Sequence, residues 1–209
     1  MKQILVAVAF VMVGLVPGVS QAATIFSDDF NNEALTLNHV FADKWTVTDG
    51  TVDLIGAPGF FDLLPGNGRY VDLDGSTFDA GIMRSDALAL LAGTTYTLTF
   101  DLAGSQRVDT NTLTYGIDLN GDGLLNDGIT VTPANIILGS VAPFSTYTLS
   151  FTPGAAAPGA RIVFGQGGGD RVGLLLDNVR LNSVPEPASL MLLGAGLAAI
   201  GIWRRKAAR

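Results

Sequence analysis

The stretch Thr94-Thr95-Tyr96-Thr97-Leu98-Thr99-Phe100-Asp101-Leu102 decides the fold class of this chain. Its large apolar side chains occupy every second position, and threonine or aspartate fills the positions between them. Successive side chains of a β-strand point to opposite faces, so the stretch predicts a strand with one buried and one hydrated face. The predicted core residues are Tyr96, Leu98, Phe100 and Leu102, and the predicted water-facing residues are Thr95, Thr97, Thr99 and Asp101.

The alternation returns at residues 145–151, where Tyr147, Leu149 and Phe151 are predicted to face inward. The two stretches share the pattern Tyr-Thr-Leu-Thr/Ser-Phe. A single recurrence favours two equivalent strands of a two-sheet fold over an array of repeats.

Shorter runs of β-formers predict further strands between glycine- and proline-rich loops. Asp49-Gly50, between two such runs, predicts a two-residue hairpin. About ten short strands with such loops favour an all-β fold for residues 23–183, an antiparallel β-sandwich of the jelly-roll type. The further predicted strands are 24–30, 45–48, 51–55, 69–73, 81–85, 113–119, 135–138, 161–164 and 172–181.

Both ends of the chain carry export features. Lys2, an apolar run at residues 4–16 and the small residues of Ser20-Gln21-Ala22 predict a secretory signal peptide over residues 1–22. A retained N-terminal anchor is the alternative.

The tail, residues 184–209, has three parts: Pro185-Glu186-Pro187, an uncharged run at 188–203 and a basic end at 204–209. The prolines keep the triplet extended. The uncharged run predicts a helix of about 24 Å, short of the roughly 30 Å hydrocarbon core, and therefore a short transmembrane helix. The basic end is predicted to stay cytoplasmic.

This order of features resembles a PEP-CTERM sorting signal, which surface-destined proteins of some Gram-negative, exopolysaccharide-making bacteria carry. The resemblance implies a transient inner-membrane anchor, recognition by an exosortase and removal of the tail. Signal peptidase is expected to remove the N-terminal signal peptide. The expected product is therefore a surface or matrix protein. A plain single-span anchor is the alternative.

Composition excludes several classes of protein. The chain has no cysteine, so it holds neither a disulfide framework nor a thiolate metal site. The formal charge is −7 for the whole chain, and the predicted mature segment 23–183, with 7 cations and 18 acids, carries −11. A basic nucleic-acid footprint is missing, whereas an acidic surface suits divalent cations.

The runs at 68–76, 91–101 and 176–181 resemble those of galactose-binding-like jelly rolls, a group that includes many carbohydrate-binding modules. The resemblance implies the jelly-roll fold and a glycan ligand. It also implies a calcium ion between the first strand, at Asp28 or Asp29, and Asp177. A turn or edge carboxylate that binds backbone amides is the alternative for Asp177.

A second calcium hypothesis rests on Asp118-Leu119-Asn120-Gly121-Asp122-Gly123-Leu124-Leu125-Asn126-Asp127. Oxygen side chains stand at loop positions 1, 3, 5 and 9, with glycine at 6, which is the rhythm of an EF-hand or dockerin-type loop. Position 12 is Ile129 instead of an acid, and Asp127 is a candidate substitute. The alternative is an Asn/Asp-Gly-rich hairpin tip. The candidate ligands are Asp118, Asn120, Asp122, the Leu124 carbonyl, Asn126 and Asp127.

The sequence predicts binding in place of catalysis. His39 is the only histidine, and neither a Gly-x-Ser-x-Gly elbow nor a P-loop occurs. Paired carboxylates for glycoside hydrolysis stay open. Phe60-Phe61, in a Gly/Pro-rich loop, is the candidate glycan contact, with packing under the loop as the alternative, while Trp45 is expected in the core. The predicted function is binding of glycan or exopolysaccharide; the alternative is a structural matrix or adhesion protein with no discrete small ligand.

Overall fold

A computed structural model describes residues 22–123 and 131–184, together with Gly196, and only the backbone of 131–134. The two long described ranges contain strands and turns and no helix, which confirms the all-β prediction. The strands are β1 (Ala23–Asp28), β2 (Trp45–Thr48), β3 (Asp53–Gly56), β4 (Arg69–Asp72), β5 (Ile82–Ser85), β6 (Leu88–Leu90), β7 (Thr95–Ala103), β8 (Thr110–Asp118), β9 (Val131–Gly139), β10 (Ser145–Phe151), β11 (Ala157–Gln166) and β12 (Leu175–Val184).

The strands form two antiparallel sheets, as predicted for a β-sandwich. Sheet A has the order β10-β7-β12-β4-β3, and β1 also pairs with β12. Sheet B has the order β2-β5-β11-β8-β9, and the short β6 also pairs with β11. Since strands far apart in sequence are neighbours in both sheets, most of the pairing is long-range.

The stretch that decides the fold class lies at the centre of the core. Strand β7 alternates half-buried and buried side chains from Thr95 to Leu102. It pairs with β10 so that Phe100 lies opposite Tyr147 and Leu98 opposite Leu149. The ring of Phe100 meets Tyr115 and Phe164 of sheet B at centroid distances of 4.9 and 5.0 Å. The predicted equivalent strands are therefore direct neighbours in one sheet, and their apolar faces pack on the other sheet.

Strand β12 organises sheet A. It pairs with β7 along its length, with β4 at Leu175 and Leu176, and with β1 near its end, where Ser183 lies opposite Ala23. At about 3.3 Å per residue, its ten residues span roughly 30 Å.

The predicted hairpin at Asp49-Gly50 is wrong, although the turn itself is present. Both residues have positive φ, of 52° and 113°, as a tight turn requires. The strands on either side belong to different sheets, because β2 pairs with β5 and β3 pairs with β4. A Cβ on Gly50 would stand 2.4 Å from the Asp79 carbonyl oxygen, so this turn packs tightly against residues 79–80 as the chain changes sheet.

All twelve strands belong to one compact unit, Ala22–Pro185. Within the described part of the chain, no helix has the length and apolar character needed to cross a membrane. The predicted signal peptide and the predicted C-terminal helix fall outside the described residues, apart from Ala22 and Gly196.

Candidate ligand-binding pocket

The predicted pair Phe60-Phe61 divides between the core and the surface. Phe60 is half-buried against a small apolar cluster that includes Ile55 and Tyr70. Phe61 has a positive φ of 50° and leaves 59% of its surface exposed. The two rings meet edge to face, with centroids 5.1 Å apart. Phe60 thus supports the loop, and its neighbour Phe61 is held at the surface.

Phe61 lies on the wall of a pocket of about 270 Å³ beside strands β3 and β4. The pocket combines apolar walls with two carboxylates, a hydroxyl and two guanidinium groups. Its lining residues are Leu37, Asp53, Ile55, Phe61, Leu63, Asp72, Ser76, Arg107 and Arg171.

Asp53 and Asp72 face each other across adjacent strands. They are register partners of β3 and β4, and both are buried. Like charges directly opposite each other destabilise a sheet unless other groups compensate them. For Asp53 the compensation comes from three hydrogen-bond donors: the Asn38 amide at 2.6 Å, the Ser76 amide at 3.1 Å and the Ser76 hydroxyl at 2.8 Å.

For Asp72 the compensation is an ion pair. The Arg107 guanidinium donates to one carboxylate oxygen, and the Asp74 amide donates to the other. Burial nevertheless raises the pKa of Asp72 to about 7, against the lowering effect of Arg107. Gly173 permits this dense packing, since a Cβ there would stand 2.0 Å from the carboxylate. The floor of the pocket is therefore fixed by bonds that leave little freedom to its polar groups.

Arg171 forms the rim of the pocket. Its guanidinium lies 3.8 Å from the centroid of the exposed Phe78 ring, a cation–π contact. Its carbonyl accepts a hydrogen bond of 2.7 Å from Arg107, and its amide donates to Asp74. The two arginines are thus linked, and both guanidinium groups are oriented at the pocket by contacts within the chain.

The loop that begins at Asp118 was predicted to bind calcium. Asp118 is fully buried, and its two carboxylate oxygens accept hydrogen bonds of 2.7 Å from the amides of Gly121 and Gly123. Asn120 donates through its side chain to Asp122. The other candidate ligands, Leu124, Asn126 and Asp127, lie outside the described residues. The described half of the loop has the amide contacts of an Asp-Gly turn.

The second predicted calcium site gathers acids at one side of sheet A. Asp28 and Asp29 line a pocket of about 400 Å³ with Lys44 and Asn178, and Asp177 is buried beside it. Burial raises the pKa of Asp177 to about 7; the Asn178 amide opposes this, and nearby Asp101, Asp29 and Asp28 add to it. Asp28 accepts from Trp45 Nε1 at 2.9 Å and pairs with the Lys44 ammonium at 3.4 Å.

The described residues of the two acidic sites do not by themselves form a ligand shell for a metal ion. Among the described residues, no three acidic or histidine side chains converge closely enough to hold a metal ion. At the strand end, Lys44 already supplies a positive charge to Asp28, and Asp177 accepts hydrogen bonds from Asn178. Calcium at either place stays a prediction for direct titration.

His39 has a structural environment. It is buried and lies 2.8 Å from the Glu33 carboxylate, which also accepts from the Ala42 amide. Trp45 is buried between the sheets, against Phe26 and Phe164, as expected. The contacts of His39 and Glu33 tie the segment between β1 and β2 together.

The sequence patterns did not identify four of the pocket residues, Asp53, Asp72, Arg107 and Arg171. One pattern could have revealed the acids: Val52-Asp53-Leu54 and Val71-Asp72-Leu73 each place an acid inside an apolar run of a predicted strand. A buried acid needs a partner, which is a reason to look for one. The arginines carry no comparable pattern, because they lie in loops that only the fold brings to β4.

Comparison with solved structures places the fold in a known class. The K1 and K3 cleaved adhesin domains of Lys-gingipain from Porphyromonas gingivalis W83 have TM-scores of 0.51 and 0.50, at 14% and 16% identity. The matches cover 79% and 78% of this chain and 99% of each domain. The CBM22-2 xylan-binding domain of Paenibacillus barcinonensis Xyn10C has 12% identity and a TM-score of 0.47 over 77% of this chain and 99% of that domain. The likeness to the two Lys-gingipain domains concerns the fold alone, an all-β sandwich.

The tail identifies the route of the protein. Residues 183–206 match the family model described as the PEP-CTERM protein-sorting motif, which confirms the resemblance inferred from Pro185-Glu186-Pro187. The motif indicates an exported, exosortase-processed protein of the cell surface. No curated protein sequence matches the chain significantly.

Proposed function

We propose that this protein is a glycan-binding module of the cell surface or extracellular matrix. In this proposal it is exported by a Gram-negative bacterium, held briefly in the inner membrane by its tail and released by an exosortase. Its β-sandwich then binds a saccharide of the surrounding exopolysaccharide in the pocket beside Phe61. The pocket serves binding and not turnover.

One observation carries the proposal: an exposed aromatic ring stands beside fixed polar groups in a single pocket. Sugar rings present apolar C–H faces and hydroxyl edges. The ring of Phe61 offers a surface for the former, and Asp53, Ser76 and Arg107 offer acceptors and donors for the latter. Small-molecule sites commonly combine apolar walls with a few convergent polar groups in this way.

The polar groups are also preorganised. Asp53 is fixed by three donors and Asp72 by Arg107, so a ligand does not have to order them. A preorganised site keeps more of its contact energy as affinity.

The test is a glycan array followed by calorimetry on the segment 23–184. We expect a discrete set of bound saccharides, and we expect Phe61→Ala to weaken binding about tenfold or more by removing the ring surface. Leu91→Ala is the matched control, because Leu91 is also a large exposed apolar residue but lies outside the pocket. Unchanged affinity in Phe61→Ala would exclude this pocket, and an array with no bound saccharide would favour the structural matrix role.

A further inference from the structure

We propose that the pocket selects an uncharged sugar unit with adjacent hydroxyls and discriminates against uronate or sulfated units. This inference rests on the proposed function and narrows its ligand class. It follows from the balance of charges in the pocket, the charge around it and the size of the cavity.

The charges of the pocket balance among themselves. Asp72 and Arg107 form one ion pair, which leaves Asp53 and the Arg171 guanidinium as the remaining lining charges. Asp53 already accepts three hydrogen bonds, and Arg171 rests against the Phe78 ring. Above about pH 7, where Asp72 is ionised, the two carboxylates and the two guanidinium groups sum to zero. An anionic ligand would therefore bring a charge that no surplus cation in the lining neutralises.

The protein around the pocket opposes anions as well. Segment 23–183 has a formal charge of −11, and its field repels polyanionic chains at low ionic strength. Two more acids lie on this side of the site: Asp74, which accepts a hydrogen bond from the Arg171 amide, and Asp170, which precedes Arg171 in the chain. Burial and the neighbouring Asp170 raise the pKa of Asp74.

Hydroxyl groups suit the polar floor better than charges do. A hydroxyl donates and accepts at once, so adjacent hydroxyls can donate to a carboxylate and accept from a guanidinium. Asp53 lies next to the Asp72–Arg107 pair across one strand spacing, which provides both partners side by side. The apolar walls at Leu37, Ile55 and Phe61 remain for the ring face.

The cavity is also small. About 270 Å³ is just below the range of roughly 300–1,000 Å³ typical of sites for drug-sized ligands. The pocket therefore accommodates one sugar unit, a chain end or a side branch, while the rest of the polysaccharide stays outside.

The experiment compares matched oligosaccharides by calorimetry at pH 8.5, where Asp72 is ionised. Neutral xylo-, cello- and galacto-oligosaccharides are the first group, and oligomers of galacturonate and glucuronate are the second. We expect the neutral group to contain the ligand, at least tenfold tighter than its uronate counterpart, with an affinity that changes less than twofold between about 50 and 300 mM salt.

Two isosteric variants separate the roles of charge and hydrogen bonding. Asp53→Asn keeps the shape of the pocket but replaces a charged acceptor by a neutral amide. We expect about tenfold weaker binding of the neutral ligand. Arg171→Gln should weaken it less than threefold. Thermal melting of each variant shows whether it has folded, and Phe61→Ala provides an independent report on the pocket if Asp53→Asn unfolds.

Tighter binding of the uronate group overturns the inference. In that case salt should weaken the binding and Arg171→Gln should abolish it. That result would leave the proposed glycan function intact. Binding of neither group, together with an empty array, would instead overturn the proposed function and this inference with it.

Discussion

At the scale of single residues, Asp72 has the most unusual environment. Folding transfers its carboxyl from water to a buried position, which raises its pKa from 3.8 to about 7. The folded state therefore binds a proton more tightly than the unfolded state. The free energy of unfolding that depends on this group is therefore highest below pH 4 and falls as the pH rises through about 7. Asp177 changes in the same direction.

We predict that the domain melts at a higher temperature at pH 4.5 than at pH 8. Asp72→Asn and Asp177→Asn should each reduce this difference, because an amide does not titrate. Asp86→Asn, which removes an exposed acid, is the control. Calorimetric melting from pH 4 to 8.5 measures the effect, and a melting temperature that rises steadily across this range would contradict it.

Calcium binding is predicted at the same scale. Weak extracellular sites with dissociation constants near 10⁻⁴ M fill at millimolar calcium, and ten times the dissociation constant adds about 1.4 kcal/mol to stability. We expect calcium to raise the melting temperature by a few degrees and Asp118→Ala/Asp122→Ala to abolish the rise. Loss of binding in Asp177→Ala alone would assign the ion to the strand-end acids, and no heat at millimolar calcium would reject both sites.

At the scale of elements, β7 joins the two sheets through Phe100. The side chain is fully buried and contacts three aromatic rings, Tyr115, Tyr147 and Phe164. We predict that Phe100→Ala lowers the free energy of unfolding by about 3–5 kcal/mol, whereas Thr99→Ala on the opposite face changes it by less than about 1 kcal/mol. Urea denaturation of both variants tests this, and equal stability of the two would refute the placement of Phe100.

The same strand shows what the sequence can predict. Alternation identified β7 and β10 because the two-residue period of apolar and polar side chains is a property of the local sequence. The pairing of β2 with β5 is not local: Asp49-Gly50 makes the tight turn that its residues favour, yet the partner of each flanking strand lies elsewhere. The short strand β6 was missed for the same reason, since three residues show no period and only the contact with β11 defines it.

The candidate site divides in the same way. Phe61 could be predicted because two adjacent large apolar residues in a Gly/Pro-rich loop cannot both be buried easily, which is a local signal. Arg107 and Arg171 could not, because they approach Asp72 from loops 35 and 99 residues away in sequence, and only the fold brings them together.

At the scale of the whole molecule, the tail sets the processing of the chain. We predict that the mature surface form lacks the segment from about Pro185 onward and that Glu186→Ala accumulates as a longer, membrane-retained species. Ala207→Ser, beyond the sorting triplet, is the control and should mature normally. Mass spectrometry of surface-extracted protein provides the measurement, and an intact Arg209 terminus on that protein would contradict the prediction.

The two ends of strand β12 lie beside different parts of the protein. Its last residues lie beside Ala23, so the two predicted processing sites adjoin neighbouring strand ends. Its first residue, Leu175, lies opposite Asp72 of the pocket. The first and last residues of β12 are about 30 Å apart along the strand. A module immobilised through the end of β12 would point its pocket outward, with neither terminus in the path of a ligand. For a sensor chip or a bead, coupling through a peptide appended after Val184 should therefore preserve the binding capacity of the pocket.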